Sequence, residues 1–436
     1  MHALNSVNAA VDETRMLESS WLRQVCLDAG ADDVGFVSVN SPALAEERPH
    51  VERAFPRTRT LVSLVVRMNR ENIRSPARSV ANHEFHHATD EANEVARRVV
   101  AVLERAGVRA LNPPSGFPME ADRWMSERMW VVAHKPVAVA AGMGRMGIHR
   151  NVIHPQFGNF ILLATVLVAA GVDVYGQELD YNPCLTCKLC VAACPVGAIG
   201  ADGAFNFSAC MTHNYHEFMG GFGRWVETIA DSRNGRDYRR RVRDSETVSQ
   251  WQSLAFGPNY KAAYCLAVCP AGTEVIGLYQ NTKKQFADEV MRPLLDKRED
   301  IFVIAGSDAE AHVRRRFPQK TVRPVRSSLR PRNLNTLLQG LPLSFQPQAA
   351  KGLEATFHFT FTGTEAREAT VEIREQRLQV SRGLVGTPTV QITADTEIWL
   401  RFIRGETGIF WPLLRRRVRV RGPLRLLRAF GRCFPN

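Results

Sequence analysis

At 436 residues the chain can close two or three domains, each with its own core, and its 45% apolar content is that of an ordinary globular protein. The formal net charge is +12, yet no nucleic-acid recognition module accompanies the basic stretches, so nucleic acid is not an expected partner. The longest apolar run, residues 160–172, is too short to span a bilayer, and seven of the nine cysteines lie between residues 184 and 269, which argues against a disulfide framework.

The opening stretch MHALNSVNAAVDETR has no apolar signal core and no twin-arginine motif. This points to a soluble cytoplasmic protein, with an anionic membrane surface as a peripheral partner. Residues 16–29 read as a helix stopped by Gly30. Residues 34–37 read as a short strand, and LVSLVVRM as a buried one because its apolar character is continuous. Thr89 or Asp90 is placed to cap a long helix, EANEVARRVVAVLERAG, ended by Gly107. Residues 131–141 and a glycine-rich turn precede a second buried strand at 160–169. This alternation makes residues 1–180 an α/β domain.

The cysteine segment occupies residues 181–275. Residues 276–333 read as a short α/β stretch containing IFVIAG, followed by an arginine- and proline-rich linker. Residues 334–436 change character. Phe357, Phe359 and Phe361 alternate with polar neighbours, and VEIREQRLQVSRG and TPTVQITAD look like further strands. Residues 397–404 and 423–430 fit short helices. The expectation is an α+β domain with one strongly apolar sheet face, which either fills a core or leaves a gap for an apolar ligand. Eight arginines lie between 415 and 432 without an acid, a solvated face or a dock for anionic headgroups.

Three motifs carry chemistry. His83, Glu84 and His87 spell HExxH, but Asn82, His86 and Asp90 crowd the same stretch and no third ligand follows, so a zinc-protease site is not expected. Gly142, Gly144 and Gly147 spell GxGxxG, yet the following segment lacks the helix and the acidic residue that a dinucleotide site requires. A tight turn that lets backbone approach a large planar cofactor fits better.

Cys184, Cys187 and Cys190 are spaced to wrap a loop around one corner of an iron–sulfur cube, while Cys194, backed by Pro195, turns toward a second cluster. Structural zinc would pair two CxxC knuckles across a longer spacer. Cys265 and Cys269 follow, the latter backed by Pro270, with Cys210 between the two sets. Cross-ligation assigns Cys184, Cys187, Cys190 and Cys269 to one complete 4Fe-4S cluster, and Cys194, Cys210 and Cys265 to a second. A complete repeat would have a cysteine where Ala262 stands. The second site is therefore a 3Fe-4S cluster, or a cube whose fourth iron binds water, substrate or a histidine, with His213 and His216 as candidates.

Together, HKPVAVAAGMGRMGIHRNVIHPQFGNFILLATVLV, CLTCKLCVAACPVGAI and the earlier FPRTRTLVSL resemble the corrinoid iron–sulfur reductases, that is, epoxyqueuosine reductases and reductive dehalogenases, from about residue 20 to about 275. The resemblance implies a nitroreductase-like α/β domain holding cobalamin, with Gly142, Gly144 and Gly147 lining the corrin, and a ferredoxin-like module with two clusters that feed electrons to the cobalt. It also implies a ferredoxin- or flavodoxin-like electron donor. The chain departs from the epoxyqueuosine pattern at Arg128, where that family has a catalytic aspartate, and at His134 and Lys135, where it has a glutamate and an arginine. The tRNA-directed extension is also missing, and HKPVAVAAG is closer to the dehalogenases. Glu127, His134 and Lys135 are the candidate proton donors.

GLEATFHFTFTG, VQITADTEIWLRFIRGE and RVRVRGPLRLLRAF resemble, in that order, the sterol-carrier-protein-2 (SCP2) family, which implies a C-terminal domain that binds acyl chains, sterols or other apolar ligands. The expectation is an iron–sulfur oxidoreductase with cobalamin-dependent reductive chemistry, dehalogenation-like or epoxide-reduction-like, on an apolar or lipid-like substrate. The alternative is a non-catalytic 4Fe-4S electron-transfer protein coupled to a lipid-binding domain.

Overall fold

The computed structural model describes residues 15–121, 128–184, 187–327 and 330–435. The N-terminal unit begins with β1 (Met16–Leu17), α1 (Ser19–Asp28), β2 (Asp33–Ser38), α2 (Arg48–Ala54), β3 (Thr60–Arg67), α3 (Arg70–Arg74), α4 (Arg78–Arg105) and β4 (Ala110–Leu111). It continues through α5 (His134–Ala140), β5 (Arg145–Met146), β6 (Val152–Ile153), β7 (Ile161–Val168) and β8 (Gly171–Val172). The main sheet has the order β2-β3-β7-β4, and every pairing in it is antiparallel.

Helices cover both faces of this sheet, which is why β3 and β7 are apolar without alternation. Val62, Leu64 and Val166 meet Val95, Val99 and Leu103 of α4 on one face. Leu61, Val65 and Leu167 meet Val137 and Ala138 of α5 on the other.

Helix α4 corrects one expectation. It starts at Arg78, well before Thr89 and Asp90, and so contains the HExxH residues. Thr89 does not cap; its hydroxyl donates to the Phe85 carbonyl one turn back at 2.6 Å, a bond that a helix interior accommodates. Ala92 and Ala96 let this helix lie close on the sheet.

The cysteine segment is mainly helical: α6 (Leu189–Ala193), α7 (Phe207–Asn214), α8 (Gly220–Ala230), α9 (Gly235–Arg241), α10 (Asp244–Phe256) and α11 (Tyr264–Ala267). Then come α12 (Gly277–Asn281), α13 (Lys283–Phe286), a π turn at Ala287–Met291, α14 (Arg292–Leu295), β9 (Asp300–Ile304), α15 (Asp308–Arg316) and β10 (Thr321–Val325). The linker expected within 276–333 is therefore largely structured. β9 and β10 pair in parallel across α15, and Ile301, Val303 and Val313 share a core with Cys190, Cys194, Val196 and Ala209. Its basic residues are partly consumed by ion pairs, Lys320 with Glu299 at 2.7 Å and Arg323 with Asp300 at 3.1 Å.

The C-terminal unit runs α16 (Leu334–Ser344), β11 (Ala355–Thr362), β12 (Arg367–Arg374), β13 (Arg377–Arg382), β14 (Val390–Asp395), α17 (Thr396–Ile403), α18 (Phe410–Leu414), β15 (Val418–Arg421) and α19 (Leu424–Arg432). Asn333 and Thr336 form a capping box that starts α16. The sheet order is β13-β12-β11-β14-β15, with only β11–β14 parallel. Glu375 and Gln376, at φ 48° and 60°, make the two-residue hairpin turn between β12 and β13. Phe357, Phe359, Val371 and Ile392 are buried together with Leu337, Trp399 and Phe430 of the helices. This unit touches the rest of the chain where the Asp308 N–H donates to Gln346 Oε1 at 2.9 Å and the Gln348 N–H donates to Asp308 Oδ2 at 2.8 Å. Among the described residues no helix is long and apolar enough to cross a membrane.

Candidate functional site

The cysteines sit at the ends of short elements. Cys190 lies in α6, and Cys194 ends it in extended backbone at φ −65° and ψ 113°, as the residue before Pro195 must be. Gly197 then turns at φ +62°; a Cβ there would meet the His312 ring at 2.7 Å. The turn aims amides at sulfur: the Ala198 N–H donates to Cys194 Sγ at 3.2 Å, and Val196, Gly197 and Ile199 add backbone hydrogen bonds. Cys210 lies in α7, whose N-terminus is capped by Asn206 accepting from the Ala209 N–H at 2.9 Å. Cys265 lies in α11, and Cys269 follows that helix.

The thiols sort into neighbourhoods by the charges that act on them. Cys269 feels Cys187, Cys190 and Cys184. Cys210 feels Cys194 and Cys265, and Cys265 in turn feels Cys194 and Cys190. Two groups result, with Cys190 and Cys265 at their junction. Burial first, then neighbouring thiols, push Cys190 and Cys265 up to about 12. All seven cysteines are unpaired. Buried thiols of this kind stay protonated unless a metal takes them as thiolates. The soft sulfur donors and the amides around Cys194 fit iron–sulfur clusters, whose chemistry when bound is one-electron transfer. Among the described residues no three His, Cys, Asp or Glu side chains converge on a single ion.

Around the second group, Ala262 is buried and its N–H donates to Asn214 Oδ1 at 3.0 Å, at the end of α7. His216 is committed elsewhere: Nε2 bonds Glu246 at 2.7 Å, Nδ1 meets Arg224 at 3.3 Å, and the ring stacks 3.5 Å from Phe302. His213 accepts the Phe302 N–H at Nδ1 at 3.3 Å and leaves Nε2 buried without a partner. Burial holds it well below the usual histidine range, helped by His216, Lys261, Lys320 and Lys297.

Lys135 stands beside this group. Its ammonium donates to the Arg150 carbonyl at 2.7 Å and to Asn151 Oδ1 at 2.9 Å, and its charge acts on both Cys210 and Cys265. His134, its neighbour, spends both ring nitrogens, Nδ1 on Thr165 Oγ1 at 2.9 Å and Nε2 on the Pro114 carbonyl at 3.0 Å, so it ties α5 to β7. Glu127 lies outside the described residues. Arg128 pairs with Glu47, which also accepts the Ala133 N–H at 3.1 Å.

Two buried groups had no sequence signal: Glu47, distant in the chain from Arg128, and His149. His149 accepts the Asn151 N–H at Nδ1 at 3.1 Å and leaves Nε2 unpartnered. Burial, then the Lys135 charge, lowers it to about 4. A histidine with a depressed native pKa is stabilising above its unfolded value of about 6.5, and that contribution is lost as pH falls toward 4, by up to about 3 kcal/mol. His149→Gln should therefore flatten the fall in urea midpoint between pH 7 and pH 5. An unchanged fall would place the acid sensitivity elsewhere.

The three glycines serve the chain's own packing. A Cβ on Gly142 would meet the Gln177 carbonyl at 2.7 Å, on Gly144 the Ile153 carbonyl at 2.4 Å, and on Gly147 the His149 ring at 2.8 Å. These contacts explain why glycine stands at each position, on the side where a Cβ would project. In the HExxH segment, Glu84 ties α4 to α3 by accepting from Asn72 Nδ2 at 3.1 Å, and the exposed His83 and His87 rings meet edge to face at 4.2 Å.

The missing fourth thiol defines a test. Ala262→Cys should convert the second site toward an ordinary four-iron cube, seen by electron paramagnetic resonance before and after substitution. Two unmodified all-cysteine cubes in the parent protein would refute the three-thiol assignment.

The SCP-2 sterol transfer family model matches residues 334–435. The chain is also similar to the epoxyqueuosine reductase of Vibrio cholerae, 29% identical over 89 residues, which are 20% of this chain and 24% of that protein. It is likewise similar to that of Cyclobacterium marinum, 32% identical over 87 residues, 20% of this chain and 26% of that protein. The chain thus spans about a quarter of the length of these curated relatives. Among solved structures, a reductive dehalogenase described with a mechanism for B12-dependent dehalogenation aligns over 67% of this chain and 36% of its own, at 15% identity and TM-score 0.40. The epoxyqueuosine reductase from Bacillus subtilis aligns over 46% and 57%, at 14% identity and TM-score 0.31. The chain therefore joins a part similar to epoxyqueuosine reductases to a C-terminal SCP2 segment.

Proposed function

We propose that this chain is an iron–sulfur oxidoreductase of the corrinoid-reductase type, with a fused domain for an apolar ligand. The observation that carries it is the sorting of seven unpaired, buried or half-buried thiols into two adjoining groups. Cys184, Cys187, Cys190 and Cys269 would hold a complete 4Fe-4S cluster in a ferredoxin-like module, and Cys194, Cys210 and Cys265 a 3Fe-4S or site-differentiated one. Electrons from a ferredoxin- or flavodoxin-like donor would enter at the first cluster and pass to the second. The Lys135 ammonium, anchored by Arg150 and Asn151, would offset the negative charge of the second cluster and favour its reduced state.

Cobalamin is the terminal acceptor that similarity to the reductases suggests, with reductive chemistry on an apolar or lipid-like electrophile as the outcome. His134, with both ring nitrogens committed to Thr165 and Pro114, favours a second reading: an electron-transfer protein whose α/β domain is a scaffold. Anaerobic purification, iron and sulfide analysis, and a titration with hydroxocobalamin discriminate. Clusters with a saturable corrinoid band support the reductase, and clusters alone support the electron carrier. Absence of iron after reconstitution would overturn both.

A further inference from the structure

We propose that the tip of the C-terminal domain, built on α18, docks on an anionic lipid bilayer. Phe410, Trp411 and Leu414 project into solvent at 68%, 62% and 63% exposure, an unusual concentration of large apolar side chains within five residues. The tip is ordered by its own backbone rather than by side-chain packing. The Leu413 N–H donates to the Ile409 carbonyl, the Arg415 N–H to Trp411 and the Arg417 N–H to Pro412, all near 3.0 Å. Pro412 is buried beneath it as the anchor. A segment whose amides are already bonded can enter the headgroup layer without exposing unpaired polar backbone.

Charge identifies the occupant. No acidic residue follows Glu406, and eight arginines lie between 415 and 432. Arg415 and Arg417 flank the apolar tip, and Arg419 extends the set along β15, whose Val418 faces the core while Arg419 faces out. The Arg415 guanidinium lies 6.0 Å from the Trp411 ring, which places cation and indole at one level, as at a headgroup boundary. Aromatic insertion with a cationic rim is the recognition chemistry of an anionic membrane surface. A neutral protein partner would leave the rim unmatched.

The test uses the full chain and vesicles of phosphatidylcholine with or without phosphatidylserine, read by co-sedimentation. The chain should bind the anionic vesicles and be released by high salt. Arg415→Gln/Arg417→Gln/Arg419→Gln should weaken binding about a hundredfold. Arg416 is left in place because its backbone is left-handed, at φ 56°. Phe410→Ser/Trp411→Ser/Leu414→Ser should weaken binding at least about tenfold even at low salt. All these positions are exposed, and circular dichroism together with cluster absorbance checks that the variants fold. Absence of binding, equal binding to both vesicles, or an apolar triple variant that binds normally would overturn the proposal. So would concentration-dependent self-association without vesicle binding, abolished by the apolar triple variant, which would make the tip an interface between two copies.

Discussion

Replacing Cys269 with serine should remove about half of the bound iron and the signal of the complete four-iron cluster, while the signal of the second site persists. Cys265→Ser should do the reverse. The contrast is sharp because the two cysteines lie one turn apart, on either side of Leu266–Val268, yet feel different partners: Cys269 the thiols of Cys184, Cys187 and Cys190, and Cys265 that of Cys194 most strongly. A cluster held by Cys269 also ties the loop before α6 to the loop after α11. Its loss should therefore lower the midpoint of the transition that exposes this segment as well as the iron count. Iron analysis, paramagnetic resonance of the reduced protein and thermal unfolding check this together. Loss of the second site's signal in Cys269→Ser would reverse the pairing.

Phe357→Ala should cost about 3–5 kcal/mol in the C-terminal unit, as removal of a fully enclosed phenyl ring does. Phe357 is fully buried, and its ring lies 4.7 Å from Phe430 of α19. Phe359 and Trp399 continue the same aromatic layer at 5.7 Å. A domain is stable by only about 5–15 kcal/mol, so this loss leaves it partly unfolded at moderate temperature. Calorimetry should show a transition moved strongly downward while cluster absorbance is unchanged, because the thiols belong to a different core. A displacement assay with a fluorescent fatty acid should lose its signal in parallel. Concerted loss of the clusters would show instead that the two halves unfold as one unit.

Ion pairs do little to fix the two halves together. Arg330–Glu227, at 2.6 Å, is roughly one-third and one-half exposed on its two side chains, and such a pair contributes little against solvent and salt. The contacts of Asp308 with the Gln346 and Gln348 segment use main-chain amides and are better placed to hold the approach.

Features written in local spacing were legible from the residues alone. The steps between Cys184, Cys187, Cys190 and Cys194, and the proline behind the last, specify a cluster loop because the ligands of one corner lie within a few residues of one another. Continuous apolar runs marked β3 and β7 as buried strands, and the alternation of Phe357, Phe359 and Phe361 marked β11, because strand periodicity is a property of adjacent residues. Other features depend on packing between segments far apart in the chain. The start of α4 was hidden because polar residues such as Thr89 sit inside the helix once Phe85 accepts their hydroxyl. The glycines of GxGxxG are required by Gln177, Ile153 and His149, two of which lie in later segments that close over the turn. Residues 300–325 became part of the cysteine core because β9 and β10 pair across α15, a contact no local pattern encodes. Lys135 reached Cys210 and Cys265 for the same reason: it is distant from both in sequence, and only the packed chain places a cation beside those thiols.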